Sequence, residues 1–468
     1  MTVTDLPPVS NAFAHAKLGD RRRLRRLLPM VEQLAENPTA SFPKALKSTA
    51  ASEAFYRFVS NGQVSWRQLV DPMAEDSLRR ATSGAPTLAI HDSTLCQFHG
   101  EEIRDGTFRT SADTCGFLAH VCLGVAADGS RRPLGVLGMI PVVRPAAGAS
   151  PDSPGVVYKN ESQRWIDLAN QVSELNHDRV RLIHMMDSEG DSFDLMSAIV
   201  LPGDDFVIRL HQDRRVLDGN IVDKLGAMLT GAAIRLVRSV RLSRRRKQEK
   251  GVATKRNTSR DEREAKLELR TTTVTLLRPQ SAASRDPYLT VNIVHVVEVD
   301  VPAGEEPVEW LLATTLPIDN ANDVEFIVDS YRTRWVIEEW FKALKTGCAY
   351  EDRQLESLDS LLMAFAMLAP IATRLLELRT LGRTEPNLPA ETVLTATEIF
   401  LLRKAHKVIG RLIPKNPTVA EAMYAVARLG GFLPSNKVAG WQVLGRGFAD
   451  LQQMVLVYNM LQDEVPEM

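Results

Sequence analysis

The segment between residues 86 and 210 constrains the fold of this chain more than any other part of its sequence. Its apolar runs and helical spacings predict, in order, three strands, a helix, a strand, a short helix and a last strand, at 87–92, 117–128, 133–143, 161–175, 180–187, 192–200 and 205–210. The run at 180–187 ends in an acid and is typical of a strand covered on both faces. This order predicts an α/β fold in which helices pack against a mixed sheet.

The sequence on either side of this segment predicts three further regions. Residues 1–70 show helical apolar spacing, and residues 211–315 are basic, rich in Arg, Thr and Val, and alternate as exposed strands do. From residue 322 onward the pattern is again mostly helical. We therefore predict a helical N-terminal domain at 1–70, a central domain at 71–370 with an all-β insertion at 211–315, and a helical C-terminal domain at 371–468.

Charge and composition leave a nucleic-acid partner open. The chain has 468 residues and a formal net charge of −1, which is an average over unlike segments. Residues 17–26 carry six basic side chains against one acid, and residues 244–256 carry seven against one. Runs of charge are more often solvated surface than binding sites, so these two segments are candidates only.

The sequence predicts a protein of the cytoplasm. Its four cysteines form no C-x-x-C pair, which argues against a zinc cluster or a disulfide framework. We expect no signal peptide in the first twenty residues, no run of about eighteen apolar residues that could span a bilayer, and no membrane partner.

Two aspartates stand where chemistry is expected. Asp92 is the last residue of the first predicted strand, and Asp187 is the last residue of the run at 180–187. Side chains at the ends of neighbouring strands can converge despite their separation in sequence. An aspartate after a strand is also a common turn or cap residue, so each one alone would favour that interpretation.

The block YRTRWVIEEWFKALKTG at 331–347 adds a third carboxylate. On one continuous helix, Tyr331, Arg334, Glu338 and Lys345 would fall within about 60° of one another. The apolar residues of the block would lie on the opposite side and pack the helix against a sheet. The alternative is an ordinary i,i+4 ion pair between Arg334 and Glu338.

The order Asp, Asp, Y-(x2)-R-(x3)-E-(x6)-K resembles the DDE insertion-sequence transposases with a YREK signature, of the transposon-five type. The resemblance covers nearly the whole chain. Its blocks are LGDRRR (18–23), YRFVSN (56–61), HDSTL (91–95), MDSEGD (186–191), WLLATTLP (310–317), the block at 331–347, ETVLT (391–395) and ARLGGF (427–432). One departure is Val142-Val143, where the resemblance implies a tryptophan pair.

The resemblance implies an RNase H-like catalytic core with an inserted β subdomain, a DNA-binding N-terminal domain and a dimerising C-terminal domain. The catalytic and metal-binding residues would be Asp92, Asp187 and Glu338. Carboxylate oxygens are hard ligands, which suit two Mg²⁺ ions, with Mn²⁺ as a substitute. The partners would be double-stranded DNA, as transposon inverted-repeat ends and target, and a second copy of the chain in a paired-end complex. The protein would be bacterial and nucleoid-associated.

The resemblance also implies a set of DNA contacts. Trp310 would stack on a flipped base in a cut-and-paste reaction that passes through a DNA hairpin, and Tyr331, Arg334 and Lys345 would hold backbone phosphate. Weaker candidates are Arg209, at the end of the strand at 205–210, and the basic N-terminal residues Arg21, Arg22 and Arg25. Trp310 could instead be a core residue of a strand.

Two other functions remain open from the sequence. A non-transposing RNase H-like nuclease would keep the three carboxylates but would have no use for Trp310. A catalytically silent DNA-binding inhibitor of transposition would have no use for the carboxylates. Strand alternation predicts that His91 and His184 point away from the site, and Glu339 is predicted to be an exposed helix residue.

Overall fold

A computed structural model describes residues 6–82, 84–100, 102–144, 157–158, 160–177, 179–218, 221–244, 260–433, 435 and 438–463. Its helices are α1 (Arg21–Glu36), α2 (Phe42–Leu46), α3 (Thr49–Val59), α4 (Arg67–Arg79), α5 (Gln163–Asn176), α6 (Phe193–Val200), α7 (Leu225–Leu229), α8 (Ala321–Thr333), α9 (Val336–Lys342), α10 (Leu358–Thr384), α11 (Ala396–Lys404), α12 (His406–Ile409), α13 (Val419–Leu429) and α14 (Trp441–Asp463).

The strands are β1 (Thr87–His99), β2 (Phe108–Arg109), β3 (Thr114–Ala126), β4 (Pro133–Val142), β5 (Leu182–Met186), β6 (Asp205–Arg209), β7 (Arg215–Asp218), β8 (Ile221–Lys224), β9 (Ala233–Leu242), β10 (Arg263–Leu277), β11 (Tyr288–Val299) and β12 (Glu309–Thr314). The chain forms two compact units. The first unit is Met1–Arg181 with Arg334–Met468, and the second unit is Leu182–Thr333.

The N-terminal helices of the first unit follow from local sequence signals. Helix α1 begins after Asp20, whose side chain accepts a hydrogen bond from the backbone N–H of Arg22 at 2.8 Å. Leu27, Val31 and Leu34 form its buried stripe, while most of its arginines lie on the opposite, exposed side. This part of the fold is helical, as predicted.

Strands β1, β3 and β4 form an antiparallel ladder in the first unit, with β3 in the middle. One detail of the prediction is wrong, because Asp92 does not end the first strand. It lies in the middle of β1, opposite Val121 of β3, and the strand continues to His99. The strand is buried from Thr87 to His91, and its next four residues, from Asp92 to Leu95, are partly exposed. Asp92 therefore marks the point where the strand meets solvent.

Helix α10 is the central helix of the first unit and is apolar on nearly every side. Its 27 residues are long and apolar enough to cross a membrane, which contradicts the expectation that no such run exists. In the fold, however, 89% of its apolar window is buried inside the protein. Helices α3, α4, α13 and α14 and strand β4 pack around it, so it occupies the position of a core helix.

The second unit contains a mixed sheet in the order β5, β6, β12, β11, β10, with β7 and β9 both paired to β10. Strands β5 and β6 are parallel, and the other pairs are antiparallel. The predicted insertion is not purely β, because it contains the short helix α7. It is not a separate sheet either, since β12 pairs directly with β6. The α/β class, the mixed sheet and the helical terminal regions are confirmed, and they are consistent with an RNase H-like core.

Candidate active site

Asp92 and Glu338 of the first unit are joined through one guanidinium group. Asp92 Oδ2 accepts a hydrogen bond from Arg334 Nη1 at 3.2 Å, and Arg334 Nη2 lies 3.6 Å from Glu338 Oε1. The Arg334 side chain is only 9% exposed, whereas those of Asp92 and Glu338 are 20% and 33% exposed. Two oxygen-rich side chains thus flank a position that already holds a positive charge.

The helix that carries Glu338 differs from the predicted one. We expected one continuous helix over 331–347, but α8 ends at Thr333, Arg334 and Trp335 form a turn, and α9 begins at Val336. A π-helical turn follows at Ala343–Gly347, closed by a hydrogen bond from Cys348 N to Ala343 O at 2.9 Å. Aromatic and β-branched residues around 333–336 are weak helix formers, which suits the interruption.

The break divides the predicted stripe between the two units. Tyr331 belongs to the second unit, and Arg334, Glu338 and Lys345 belong to the first. The apolar side of the block is buried as expected, although Trp340 packs against Phe365 of α10 and not only against a sheet.

Lys345 is anchored beside the strand that carries Asp92. Its Nζ donates a hydrogen bond to Leu95 O at 2.6 Å and lies 3.0 Å from Glu351 Oε1. Glu351 Oε1 also accepts a hydrogen bond from Gln97 N at 2.9 Å. Lys345 therefore lies three residues further along β1 than Asp92, and Glu351 holds it there. No motif or spacing in the sequence singles out Glu351.

Asp187 of the second unit follows β5, as predicted. Its Oδ1 accepts a hydrogen bond from Glu189 N at 2.9 Å, so it caps the short 3₁₀ turn Ser188–Gly190 and is half-buried. A capping role and a catalytic role are compatible, because each carboxylate oxygen has two lone pairs. The cap uses one lone pair of Oδ1, and Oδ2 is a second acceptor oxygen.

Asp191, four residues later, is a buried anchor that the sequence analysis quoted only as part of a block. Its carboxylate accepts hydrogen bonds from the backbone N–H groups of His211 and Gln212 at 2.7 and 2.9 Å and from Arg214 Nε at 2.8 Å. These contacts tie the turn after β5 to the segment after β6. They hold the backbone next to Asp187 in one place.

Trp310 and Tyr331 meet within the second unit. Their rings lie edge to face, with centroids 5.4 Å apart and planes at 67°. Tyr331 is 4% exposed, but Trp310 is only half-buried, at the start of β12. A core tryptophan of this protein looks different, since Trp165 and Trp340 are fully buried. Trp310 thus has surface left for a ligand.

Arg209 lies close to Trp310 in the same unit. It ends β6, and its Nη2 donates a hydrogen bond to the backbone carbonyl of Glu309 at 3.4 Å. Strands β6 and β12 pair here, with Arg209 opposite Leu312. The structure therefore brings a cation and an aromatic ring to the same end of the β6–β12 pair.

The N-terminal arginines lie at the start of α1. Arg21, Arg22 and Arg25 are exposed, and Arg22 pairs with Asp20 at 2.7 Å. The hydrogen bond from the Arg22 side chain lowers the pKa of Asp20 to about 2. A cavity of about 290 Å³ beside them is lined by four arginines and three other residues: Arg22, Arg23, Arg26, Arg57, Asp20, Phe58 and Asn61. Arg57 of α3 was not identified from the sequence.

The second basic segment, at 244–256, lies outside the described residues except for Arg244. The two histidines behave as strand alternation predicted, because His91 and His184 are fully buried. Glu339 does not, because it is half-buried and forms ion pairs with Lys342 and Arg379. The prediction of an exposed helix residue was wrong, since helical spacing does not reveal which later helix packs beside α9.

Within the residues that the structure describes, no three His, Cys, Asp or Glu side chains are grouped closely enough to hold a metal ion. The donor chemistry nevertheless suits a hard cation in the first unit, because Asp92 and Glu338 present carboxylate oxygens to the same guanidinium. Arg334 lies between these two carboxylates.

Two known protein families match parts of the chain. Residues 9–64 match the family described as transposase DNA-binding, and residues 159–373 match the family described as transposase DDE domain. The first range contains the basic start of α1, and the second contains Asp187, Trp310 and Glu338. Asp92 lies outside both ranges. Two parts of the chain thus match a transposase DNA-binding domain and a transposase DDE domain, and these matches support a DDE transposase.

Proposed function

We propose that this protein is a cut-and-paste DNA transposase of the transposon-five type with the YREK signature. It would bind the two ends of its element, cleave them through a hairpin intermediate and join the freed 3′ ends to target DNA. The observation that carries the proposal is the pairing of Asp92 and Glu338 across Arg334 in a chain with a DDE domain. Its place of action would be the bacterial cytoplasm, at the nucleoid.

Asp92, Asp187 and Glu338 would hold two Mg²⁺ ions, or Mn²⁺ in their place. When bound, such ions activate the attacking oxygen and stabilise the leaving oxygen of an in-line phosphoryl displacement. The role of the protein is to present the carboxylates in fixed positions. Asp92 is fixed by the β1–β3 ladder, and Asp187 is fixed by its cap and by the Asp191 contacts.

Arg334 and Lys345 would neutralise phosphate near the scissile bond. A guanidinium group can bind phosphate through two parallel hydrogen bonds, and the ammonium group of Lys345 acts as a point charge. Both cations are paired with carboxylates in this structure, Arg334 with Asp92 and Lys345 with Glu351. Phosphate would compete for them with these carboxylates.

The reaction sequence needs no protein nucleophile. Water cleaves one strand at the element's end and frees a 3′-hydroxyl, which attacks the opposite strand and closes a hairpin. Hairpin closure bends the DNA sharply, and taking one base out of the stack relieves the strain. The ring of Trp310, which lies edge to face with that of Tyr331, would stack on that base.

Three conservative variants test the catalytic role. Asp92→Asn, Asp187→Asn and Glu338→Gln should each abolish strand cleavage in Mg²⁺, because each removes a charged ligand. End binding measured in Ca²⁺ should persist in all three. Efficient cleavage by any one variant would remove that residue from the active site.

The same assay separates the competing functions. Wild-type protein with Mg²⁺ and DNA carrying the element's ends should give nicked, hairpin and double-strand products in that order. Nicks without hairpins would indicate an RNase H-like nuclease, and binding without any cleavage would indicate an inhibitor of transposition.

We further propose a homodimer that forms on paired DNA ends through α14. The end of this helix exposes three apolar side chains, Val457, Met460 and Leu461, each more than half exposed. Removing the chain from Glu391 onward would also remove α13 and α14, which cover α10, so substitutions are a cleaner test. Met460→Lys with Leu461→Lys should keep single-end binding and prevent the paired-end complex on native gels. Normal paired-end complexes in this variant would refute the assignment.

A further inference from the structure

Glu339, the neighbour of Glu338, has partners on both carboxylate oxygens. Its Oε1 accepts a hydrogen bond from Lys342 Nζ of the same helix at 3.0 Å. Its Oε2 accepts a hydrogen bond from Arg379 Nη1 of α10. The same oxygen accepts a second hydrogen bond, at 3.2 Å, from Nε1 of Trp441, which is the first residue of α14. One carboxylate therefore joins three helices of the first unit.

Arg379 and Trp441 also contact each other. The guanidinium lies over the indole ring, 4.5 Å from its centre, and Arg379 Nε donates to Ala439 O at 3.4 Å. We call Glu339, Arg379 and Trp441 the Glu339 cluster.

A second contact lies one turn further along α14. A Cβ atom added to Gly445 would lie 2.5 Å from Gly347 O and 3.1 Å from Gly347 Cα, both of which are backbone atoms. Only a residue without a side chain permits this approach. Gly347 ends the π turn that carries Lys345. Helix α14 thus touches the active-site segment at both ends, at Glu339 and at Gly347.

The segment between these two contacts is not one long regular helix. Helix α9 has seven residues, follows a turn at Arg334 and Trp335, and continues into the π turn. Side chains at 338 and 339 point about 100° apart around the helix axis. A rotation of α9 that released Glu339 would therefore turn Glu338 away from Arg334 and Asp92.

We propose that the Glu339 cluster and the Gly445–Gly347 contact form a positioning device, through which the start of α14 fixes Glu338 and Lys345. This rests on the proposed function, in which Glu338 is a metal ligand. It gives α14 a role in each single subunit, apart from any role in pairing two subunits. Glu339 acts through Glu338 and is a positioning residue.

Glu339→Gln keeps the shape of the side chain and removes its charge. Residues that orient metal ligands typically change metal affinity or activity by roughly tenfold to a hundredfold when replaced. We expect Glu339→Gln to raise the Mn²⁺ concentration needed for half-maximal nicking by about tenfold or more, with end binding in Ca²⁺ unchanged. Gly445→Ala, which pushes on the π turn from α14, should do the same.

The matched control is Glu398→Gln. Like Glu339, Glu398 forms an ion pair with an arginine of α10: it lies 2.9 Å from Arg374, and its side chain is 3% exposed. Its described contacts lie on α10, on α14 and at the start of α11, which carries it. It should lose stability but keep the wild-type Mn²⁺ dependence. If Glu339→Gln fails to fold, Trp441→Phe decides, because it removes one hydrogen-bond donor and keeps an aromatic ring.

The Mn²⁺-induced rise in melting temperature is recorded alongside nicking, so that the two proposals can fail separately. Wild-type nicking by Glu338→Gln would refute the proposed function. A smaller Mn²⁺-induced rise in Glu339→Gln than in Glu398→Gln supports the positioning device. Equal rises in these two variants, or an unchanged Mn²⁺ dependence in both Glu339→Gln and Gly445→Ala, would overturn it.

Discussion

Removing Arg334 should reveal the place that a divalent cation takes in the first unit. Its guanidinium bonds Asp92 at 3.2 Å and faces Glu338 at 3.6 Å. The variant Arg334→Gln deletes the positive charge and leaves two carboxylates on the same side of the fold. It should be less stable without metal and should gain more from metal than the wild type does.

The size of the effect follows from the contacts. A hydrogen bond to a charged group contributes about 1.5–3 kcal/mol to the free energy of unfolding. Because Asp92 and Glu338 are partly exposed, we take about 2 kcal/mol for the contribution of Arg334. A unit of roughly 300 residues unfolds with an entropy of about 0.6 kcal/mol/K, so the variant should melt about 3 °C lower in EDTA. At an equal Mn²⁺ concentration, the Mn²⁺-induced rise in melting temperature of the variant should exceed that of the wild type by up to about 3 °C. The reason is that no guanidinium competes with the ion for the carboxylates.

Differential scanning fluorimetry in EDTA and in Mn²⁺ measures both numbers. The control is Arg332→Gln, which breaks a neighbouring exposed ion pair with Asp329 and should leave the metal-induced rise unchanged. An equal or smaller metal-induced rise in Arg334→Gln would show that Arg334 does not occupy the cation's position.

The basic start of α1, Trp310 and the buried cysteines give four further predictions. Replacing the exposed Arg21, Arg22 and Arg25 with Gln should weaken end binding and flatten its dependence on salt, since fewer counterions are released. An unchanged salt dependence would mean that these three arginines are ordinary solvated surface. Trp310→Ala should leave nicking largely intact and slow hairpin formation by roughly tenfold to a hundredfold, so nicked DNA should accumulate on gels. If nicking and hairpin formation slowed equally and the variant melted at a lower temperature, Trp310 would be a core residue. All four cysteines are buried, and burial raises the pKa of Cys96 to about 12, so a thiol reagent at pH 8 should react only after unfolding. Because the folded pKa is the higher one, Cys96 also makes the fold less stable as pH rises from about 9 towards 12, which urea titrations at several pH values can measure.

Local patterns in the sequence predicted most of the elements. Periodicity located α1, the strands of the core and the helical C-terminal region, because each depends on residues close together in sequence. The end of β1 was misplaced because Asp92 and Ser93 look like a turn. Pairing with β3 continues the strand through them, and that pairing depends on residues more than twenty positions away.

The features of the site that the sequence did not predict also depend on distant contacts. The helix break at Arg334 lies inside a block whose apolar spacing is helical throughout, and so its residues alone do not reveal it. Glu351 and Glu339 acquire their roles only from chain reversal, which brings β1 to Lys345 and α14 to α9. No spacing rule encodes such encounters between distant segments.

The division of the chain into units has a consequence for how it folds. The second unit is one uninterrupted stretch, Leu182–Thr333, whereas the first is assembled from stretches on either side of it. During synthesis the first unit can therefore be completed only after the second has been made, and the apolar surface of α10 stays uncovered until α13 and α14 emerge. Purified chains that end between residues 385 and 418 lack α13 and α14, and they should therefore bind chaperones through the uncovered surface of α10.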